Sequence, residues 1–268
     1  MTQSDLLRVF HDSVRLVLPP EPAGHRMEQV DLVRRQYTLD PGGYATVETP
    51  DGLGADPAAL IVRERDYFAE RGQDLEWKTY DYDEPADLGD LLLSAGFVKD
   101  DDEALILGET APLAEQEIDL PEGLVVRAAE DKEDFERIRA LYRRVWGEES
   151  AWVGESLFER WRDHPETVDV VVVEESREGP VLCSARSEYD ESPFVGLWGG
   201  STDPDWRGRG LYRTTLLHRA RLALARGKRY VRVDASPDSE PILRRLGLRR
   251  VATTTPYLFR PQARDGGD

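Results

Sequence analysis

Residues 202–212 read TDPDWRGRGLY and join two segments of regular pattern. The apolar run Phe194–Ser201 predicts a strand, and the periodic run from about Gly210 to Gly227 predicts a helix. The first turn of a helix has unpaired N–H groups and a partial positive charge, glycine lets an anion approach the backbone, and an adjacent guanidinium adds a charge-assisted bond. The stretch therefore predicts a phosphate-binding junction. The alternative is an ordinary surface loop, because Gly and Arg are common in turns.

The charge distribution favours a specific anionic ligand at this junction. The chain has a formal net charge of −18. Residues 203–250 contain thirteen arginines and lysines against five acids, a net +8, so the remainder of the chain carries −26. A basic segment in an acidic protein predicts a polyanionic small ligand and no nucleic acid partner, because the overall field repels nucleic acid.

The composition also indicates which cellular compartment and which cofactors to expect. With 268 residues and 40% apolar content, the chain can form two modest cores. Its longest apolar runs, such as Val170–Val173, are too short to span a bilayer, and the N-terminus has no signal-peptide core. A single cysteine, Cys183, excludes an internal disulfide, so we expect a cytoplasmic protein with no membrane partner. The four histidines have no ligand spacing with one another or with Cys183, and we predict no metal.

The hydrophobic pattern predicts two αβ domains, at residues 1–110 and 123–260. Residues 111–122 are rich in Glu, Pro and Ala without periodicity and are predicted to be a linker, and residues 261–268 a disordered tail. In the first domain the pattern predicts helices at 5–17, 57–71 and 87–95 and strands at 29–39, 44–48, 75–80 and 103–107. In the second it predicts strands at 124–128, 168–174, 180–189, 194–201, 230–235 and 253–259 and helices from 131, at 155–162, from 210 and at 241–246.

A weak internal repeat relates the two halves. At an offset of 151 residues, Gly247-Leu248 matches Gly96-Phe97 and Tyr257-Leu258 matches Ile106-Leu107. One explanation is a duplication whose first copy has decayed, and the other is chance similarity between two αβ units.

The order of elements and two motifs resemble the GNAT superfamily of acetyl-CoA-dependent N-acetyltransferases. The loop at residues 203–210 is similar to the family's Arg/Gln-x-x-Gly-x-Gly/Ala acetyl-CoA loop, and residues 235–248 are similar to its later strand–helix motif. The resemblance covers about Gly123–Pro261. It implies an α/β (α+β) fold with a mixed, mostly antiparallel sheet flanked by helices, preceded by a smaller, degenerate GNAT-like half, as in tandem members.

The resemblance implies acetyl-CoA as co-substrate, bound in a V between the fourth and fifth strands of the second domain. Pantetheine would bond to backbone near Gly200–Thr202, and the pyrophosphate would rest on the N–H groups of residues 207–212, with Arg207 and Arg209 near phosphate. The predicted coenzyme-binding residues are Gly200, Ser201, Thr202, Arg207, Gly208, Arg209, Gly210, Leu211, Tyr212, Ser236 and Leu243.

In this family a base removes a proton from a bound ammonium, and the free amine attacks the thioester directly. A backbone N–H of the fourth strand stabilises the developing oxyanion, and a tyrosine often protonates the leaving thiolate. This chain departs from the pattern at three positions, since Leu243 replaces that tyrosine, Ser236 a usual asparagine, and Tyr212 the small residue that ends the loop motif.

The catalytic groups are therefore less determined than the coenzyme loop. Asp234, at the end of the predicted fifth strand, and Glu188, near the end of the third, are the candidate bases. Their alternative role is that of a solvent-facing or arginine-paired carboxylate. Tyr212 and Tyr257 are candidate replacement acids.

Three functions remain open on the sequence. The leading hypothesis is an N-acetyltransferase acting on a primary amine of a small molecule or peptide. The alternatives are a non-catalytic CoA-binding regulatory or interaction protein, which Leu243 and Ser236 favour, and a phosphate-binding protein unrelated to CoA. The first half lacks the loop chemistry, because residues 52–56 contain no arginine. We expect it to shape the acceptor side or to mediate homodimer formation.

Overall fold

The computed structural model describes residues 2–18, 21, 24–40 and 42–261, except for the side chains of residues 149, 151 and 152. The predicted disordered tail lies outside the described residues apart from Pro261. The helices are α1 (Gln3–Phe10), α2 (Pro57–Glu70), α3 (Leu88–Ser94), α4 (Thr110–Ala114), α5 (Lys132–Trp146), α6 (Ala151–Asp163), α7 (Leu211–Ala225) and α8 (Glu240–Arg245). The strands are β1 (His25–Val30), β2 (Val33–Thr38), β3 (Tyr44–Glu48), β4 (Asp74–Tyr80), β5 (Val98–Lys99), β6 (Glu103–Glu109), β7 (Val125–Ala128), β8 (Val168–Glu174), β9 (Cys183–Tyr189), β10 (Phe194–Thr202), β11 (Tyr230–Ala235) and β12 (Arg249–Phe259).

The chain divides into two compact units. The first contains the residues up to Leu105, the segment Asp234–Glu240 and the residues from Arg250 onwards, and the second contains Ile106–Val233 and Pro241–Arg249. Helices flank mostly antiparallel strands, so the predicted mixed α/β architecture is confirmed. Among the described residues no helix is long and apolar enough to cross a membrane.

The sheet of the first unit runs in the order β1, β2, β3, β4, β12, with β5 also paired to β12. Neighbouring strands are antiparallel except β3 and β4, which α2 connects and which therefore run parallel. The core beneath α2 contains Ile61, Phe68, Leu75 and Trp77, all of which are fully buried. The strand predicted over residues 29–39 is instead the hairpin β1–β2, because Asp31 adopts the left-handed conformation (φ 53°) and turns the chain.

The sheet of the second unit contains β7, β8, β9, β10 and β11 in sequence order. The first four strands are antiparallel, whereas β10 and β11 are parallel and are connected by α7. Val170–Val173 of β8 are buried, as expected for a central strand covered on both faces. Beneath α5 the core contains Phe135, Ile138 and Leu141.

The two units share an order of elements. In each, three strands are followed by a crossover helix, a parallel strand and a short helix that ends at a glycine of positive φ, Gly96 (93°) or Gly247 (92°). Such glycines end helices because the left-handed conformation costs them little. The repeat in the sequence is thus a repeat of architecture.

The units differ from the predicted domain boundaries in the placement of β12, of Asp234–Glu240, of residues 106–110 and of the linker. The last strand, β12, pairs with β4 and belongs to the first unit, although it was predicted within the domain 123–260. Part of the predicted linker is helix α4, whose Leu113 is buried, and Arg221 of α7 donates to the carbonyl oxygens of Ala114 (3.1 Å) and Gln116 (2.8 Å). Periodicity shows that a segment is a strand or a helix but does not show its partner.

Candidate functional site

The open edge of β10 is the first feature of the site. β10 pairs with β11 at Phe194↔Tyr230, Val195↔Val231 and Gly196↔Arg232. β10 continues to Thr202, so within the described chain its remaining residues extend beyond the last pair with β11. This divergence lies where the sequence predicts the V between the fourth and fifth strands.

A β-bulge lies in β10 just past that divergence. Trp198 pairs with Arg186 and Ser201 pairs with Ser184, so Gly199 and Gly200 lie opposite the single residue Ala185. Gly199 has a φ of 60°, a conformation that favours glycine. Both glycines are exposed, whereas Ser201 is buried. The bulge therefore presents bare backbone at the open edge.

Tyr212 packs directly against this bulge. A Cβ added to Gly200 would lie 2.4 Å from Cε2 of Tyr212, so the ring occupies the space that a side chain at residue 200 would need. The large residue at the end of the loop motif is therefore accommodated by the missing side chain of Gly200. The departure from the family pattern has a local structural explanation.

One arginine binds both acids of the loop. Residues Pro204–Trp206 form a 3-10 turn, in which the Asp203 carboxylate accepts from the N–H of Asp205 (2.9 Å). Arg144 of α5 places Nε 2.9 Å from Asp203 and Nη2 2.5 Å from Asp205. Since Arg144 neutralises much of this negative charge, Arg207 and Arg209 dominate the exposed part of the loop.

The glycines between these arginines leave room for a ligand. Gly208 (φ 75°) and Gly210 (φ 83°) have no heavy atom within 4 Å of an added Cβ. Arg207 is exposed and donates from Nε to the carbonyl oxygen of Thr202 (3.3 Å). The exposed Arg209 lies over the ring of Trp206, 4.6 Å from its centroid. Both guanidinium groups thus lie on the exposed side of the loop.

Among the described residues, no side chain caps the first turn of α7. Gly210 is its N-cap residue, and the first helical bond runs from the N–H of Thr214 to the carbonyl oxygen of Gly210 (2.9 Å). Leu211 anchors the turn in a core cluster with Leu182 and Cys183. An uncapped helix start beside two arginines has the geometry and the charge of an anion site.

The corresponding helix of the first unit is capped. The carboxylate of Asp56 accepts from the N–H of Ala59 (3.1 Å), and Pro57, which has no N–H, is the first helical residue. A capping carboxylate repels an anion at this position. Of the two crossover helices, only α7 is therefore suited to bind phosphate.

A side chain fills the divergence of the parallel strands in the first unit. Pairing of β3 with β4 ends at Val47↔Trp77. Beyond that pair, the guanidinium of Arg15 lies 3.7 Å from the centroid of the Tyr80 ring and bonds to Glu48 (3.1 Å) and to Asp83. The position that remains open in the second unit is occupied by a buried ion pair in the first.

Glu188, the first candidate base, lies between two arginines. Its carboxylate is 2.7 Å from Nε of Arg186 and 3.2 Å from Nη1 of Arg160. Burial favours the neutral acid, but the two guanidinium groups outweigh it, and the pKa of Glu188 is lowered. A lowered pKa weakens a carboxylate as a base. Its catalytic role stays a prediction.

Asp234, the second candidate, makes its contacts in the first unit. It forms an ion pair with Lys78, and the two side chains are 7% and 14% exposed. Burial alone would lower the pKa of Lys78, but Asp234 and other carboxylates raise it above its ordinary value. The carboxylate is thus paired with a fully charged ammonium, and its role as base also stays a prediction.

The remaining predicted residues lie outside the loop. Ser236 is exposed in the segment after β11, where its Oγ lies 3.2 Å from that of Ser239. Leu243 is fully buried in α8, so its side chain packs in the protein core. Tyr257 of β12 is buried in the core cluster of the first unit. The structure thus brings Gly200–Thr202 together with residues 207–212. Ser236, Leu243 and Tyr257 lie in other parts of the protein.

Three residues near the loop were not singled out from the sequence. Arg144 holds Asp203 and Asp205, Trp146 donates from its indole N–H to Oγ of Ser201 (2.8 Å), and Arg219 bonds to β9 and β10. Only Arg219 carried a sequence signal. It shares the four-residue spacing of the buried residues Leu211, Thr215 and Ala223, a stripe on which a charge is unexpected.

The described residues hold no cluster of three or more His, Cys, Asp or Glu side chains arranged for a metal ion. Cys183 is buried, with Sγ 3.2 Å from Oγ1 of Thr202, and burial raises the pKa of its thiol to about 11. A neutral thiol in the core packs as a small apolar side chain and is a poor nucleophile.

The chain has no match among protein-family models and none among curated proteins. Solved structures do resemble it. A GCN5-related N-acetyltransferase from Kribbella flavida has a TM-score of 0.66 at 16% identity, over 97% of this chain and 95% of that one. A tandem GNAT protein from the clavulanic acid biosynthesis pathway has a TM-score of 0.65 at 12% identity, over 98% and 97%. A GCN5-related N-acetyltransferase from Sphaerobacter thermophilus has a TM-score of 0.62 at 16% identity, over 87% and 78%.

The chain therefore has the GNAT fold in its tandem form. The predicted resemblance is confirmed at the level of the fold, since neighbours of this class cover nearly the whole chain at identities of 16% or less.

The buried pair of Lys78 and Asp234 leads to a prediction about stability. Lys78→Met leaves Asp234 buried without a partner and is expected to lower the free energy of unfolding by about 3–5 kcal/mol, measured by urea denaturation. Adding Asp234→Leu is expected to restore most of that loss. Lys99→Met, which breaks the exposed pair of Lys99 with Asp102, is the control and should cost about 0–1 kcal/mol. Equal instability of the single and double variants would contradict the pairing.

Glu188 leads to a prediction about pH. Because its pKa is lower in the folded protein than the ordinary value of 4.5, its ionised form stabilises the fold above pH 4.5, and that stabilisation is lost as pH falls through the folded-state pKa. The stability difference between wild type and Glu188→Gln should therefore shrink as pH is lowered from 7 towards 3, as urea denaturation can measure. Glu175→Gln, at an exposed position, is the control. A pH-independent difference for Glu188→Gln would contradict the ion pairs.

The contact between Gly200 and Tyr212 predicts a coupled pair. Gly200→Ala should lower the free energy of unfolding by about 1–3 kcal/mol, because its Cβ would overlap the Tyr212 ring. Combining it with Tyr212→Ala should give a smaller total loss than the sum of the two single variants. Gly179→Ala, where the nearest atoms lie 3.5 Å from the added Cβ, is the control. Strict additivity in urea denaturation would show that the two residues do not interact.

Proposed function

We propose that the chain is an N-acetyltransferase that transfers the acetyl group of acetyl-CoA to a primary amine of a small molecule or peptide. One observation carries the proposal. The uncapped first turn of α7, with open glycines and two exposed arginines, adjoins the free edge of β10. A phosphate site alone would need only the helix start. An anion site continued by a free strand edge suits a ligand with a pyrophosphate and an amide-bearing arm.

In this proposal the coenzyme is bound by backbone and side-chain groups of the second unit. The N–H groups of the first turn of α7 and the guanidinium groups of Arg207 and Arg209 bind the pyrophosphate. The backbone of Gly200–Thr202 hydrogen-bonds the pantetheine amides along the free edge of β10. Gly208 and Gly210 leave the space that the phosphates need. Arg144 holds the loop in place through Asp203 and Asp205.

The reaction is a direct transfer. The lone pair of the neutral amine attacks the thioester carbonyl carbon, the C–S bond breaks, the nitrogen loses a proton, and the CoA thiolate gains one. A backbone N–H at the bulge of β10 stabilises the negative charge on the carbonyl oxygen. Glu188 and Asp234 remain the candidate bases, although both are held in ion pairs.

A second function is favoured by the surroundings of Leu243. This leucine is fully buried where the family pattern has the tyrosine that protonates the thiolate, so no hydroxyl is supplied from that position. A non-catalytic CoA-binding regulatory or interaction protein would need the same loop and no acid. Turnover distinguishes the two functions.

We further propose that the protein acts in the cytoplasm, without a nucleic acid or membrane partner. The net charge of −18 and the single buried thiol support this proposal. A homodimer and a role for the first unit at the acceptor side remain predictions.

The two glycines that flank α7, Gly210 and Gly227, provide a matched test of coenzyme binding. Gly210→Ala is expected to weaken CoA binding at least about tenfold, because its methyl group would stand at the start of the helix where the phosphates approach. Gly227→Ala, at the other end of the same helix, has nearly the same φ (78° against 83°) and equally open space, so it introduces the same strain without affecting the site. Isothermal titration with CoA, acetyl-CoA and inorganic phosphate measures the effect.

The outcomes separate the three functions. Wild-type protein should bind CoA far more tightly than inorganic phosphate and should release thiol from acetyl-CoA in the presence of at least one amine of a broad panel. Tight binding without thiol release would favour the non-catalytic function. Phosphate binding without CoA binding, or equal effects of the two glycine substitutions, would refute the coenzyme site.

A further inference from the structure

Arg219 is a buried arginine that has no acidic partner among the described residues. It lies in α7 with 1% of its surface exposed. Its guanidinium donates from Nε to the carbonyl oxygen of Thr215 (3.2 Å) and from Nη1 to those of Arg186 (2.8 Å) and Trp198 (3.4 Å). Across the described parts of the chain, no carboxylate lies within 4.0 Å of it. Burial lowers the pKa of Arg219, but arginine remains protonated in proteins.

Such a group is costly for stability. A buried charge without a counter-charge is disfavoured, and an apolar side chain of similar length would pack in the same space without that cost. The hydrogen bonds to carbonyl oxygens offset part of the cost. The groups that the Arg219 guanidinium contacts therefore indicate what its charge contributes.

Those groups lie at the start of the bulge. Arg186 and Trp198 face each other as the last regular pair of β9 and β10 before Gly199 and Gly200. Both of their carbonyl oxygens accept from the same Nη1. Arg219 therefore bonds both carbonyl groups of the pair that lies directly beside the interruption of the ladder. It thus fixes the geometry of the interruption.

The direction of the next N–H follows from the planar peptide. In a trans peptide the C=O and N–H groups point in opposite directions. Because the carbonyl of Trp198 points to Arg219, the N–H of Gly199 points away from that guanidinium. Gly199 itself is exposed. A cation bonded to the carbonyl also polarises the peptide and makes its N–H a stronger donor.

We propose that Arg219 is a positioning residue for acetyl transfer. It holds the bulge of β10 so that the N–H of Gly199 is aimed at the thioester carbonyl oxygen, on which negative charge develops when the amine attacks. This inference rests on the proposed function. Arg219 acts through the backbone of Trp198 and Gly199 and does not touch the substrate.

The test compares two arginines of the same helix. Arg219→Met removes the charge and keeps the length of the side chain. Arg219→Lys keeps the charge but replaces the planar guanidinium, with its several N–H donors, by an ammonium. Arg221→Met is the matched control, because exposed Arg221 also donates to two carbonyl oxygens, those of Ala114 and Gln116. We expect kcat to fall about 10- to 100-fold in Arg219→Met, less in Arg219→Lys, and not in Arg221→Met. The Kd for acetyl-CoA should change less than about threefold in all three variants.

A spectroscopic readout separates positioning from general structural support. The carbonyl stretch of 13C-labelled acetyl-CoA, measured by infrared difference spectroscopy, should shift to lower frequency on binding to the wild type. In Arg219→Met the frequency should return towards that of the free coenzyme, while Arg221→Met should retain the shift. If Arg219→Met does not fold, Arg219→Lys provides the same comparison with a partial return.

Two results would overturn the proposal. The first is an unchanged carbonyl frequency in a folded Arg219 variant. The second is a parallel loss of kcat, acetyl-CoA affinity and thermal stability, which is what a merely structural role produces. If the wild type binds acetyl-CoA without turnover, the proposed function fails. The infrared shift and its dependence on Arg219 then still decide whether the residue orients the peptide.

Discussion

The structure of the site depends on one extra residue in β10. The bulge at Gly199 and Gly200 breaks the ladder with β9 beside the point where β10 and β11 diverge. Since a ladder leaves no free backbone between paired strands, this break and this divergence accompany the exposure of Gly199 and Gly200. The neighbouring elements conform to the bulge: Tyr212 packs into the space left by Gly200, and Arg219 bonds the carbonyl groups at its start.

The two units show how the same order of elements can serve different purposes. In the first unit a carboxylate caps the crossover helix, and Arg15 fills the space beyond the last pair of its parallel strands. In the described part of the second unit, no side chain caps the helix that starts at Gly210, and β10 extends beyond its last pair with β11. Each difference places an internal contact in the first unit at a position that is exposed in the second. Capping and ion pairing thus stabilise the first unit at the positions that correspond to the coenzyme site proposed for the second unit.

The sequence predicted those parts of the fold that depend on local pattern. The strand–loop–helix junction, the order of elements and the short helices ending at glycine follow from periodicity and from glycine chemistry within a few residues. The partners of Asp234 and β12 did not follow. Lys78 is 156 residues from Asp234 in the chain, and the pairing of β12 with β4 joins segments that are still further apart. Long-range partners are set by how whole elements pack, which periodicity does not encode.

The long-range partners of the two candidate bases affect the chemistry that each carboxylate can perform. A base at neutral pH needs a raised pKa, which burial without a cation provides. Glu188 lies between two arginines, which lower its pKa, and Asp234 forms an ion pair with Lys78. Arg219 of the second unit differs from these carboxylates, because it is buried and, among the described residues, its guanidinium bonds to carbonyl oxygens and not to a group of opposite charge. Positive charge near the bulge is therefore less compensated than negative charge at the candidate bases. For the proposed acetyl transfer, this arrangement favours stabilisation of a developing oxyanion over strong base catalysis.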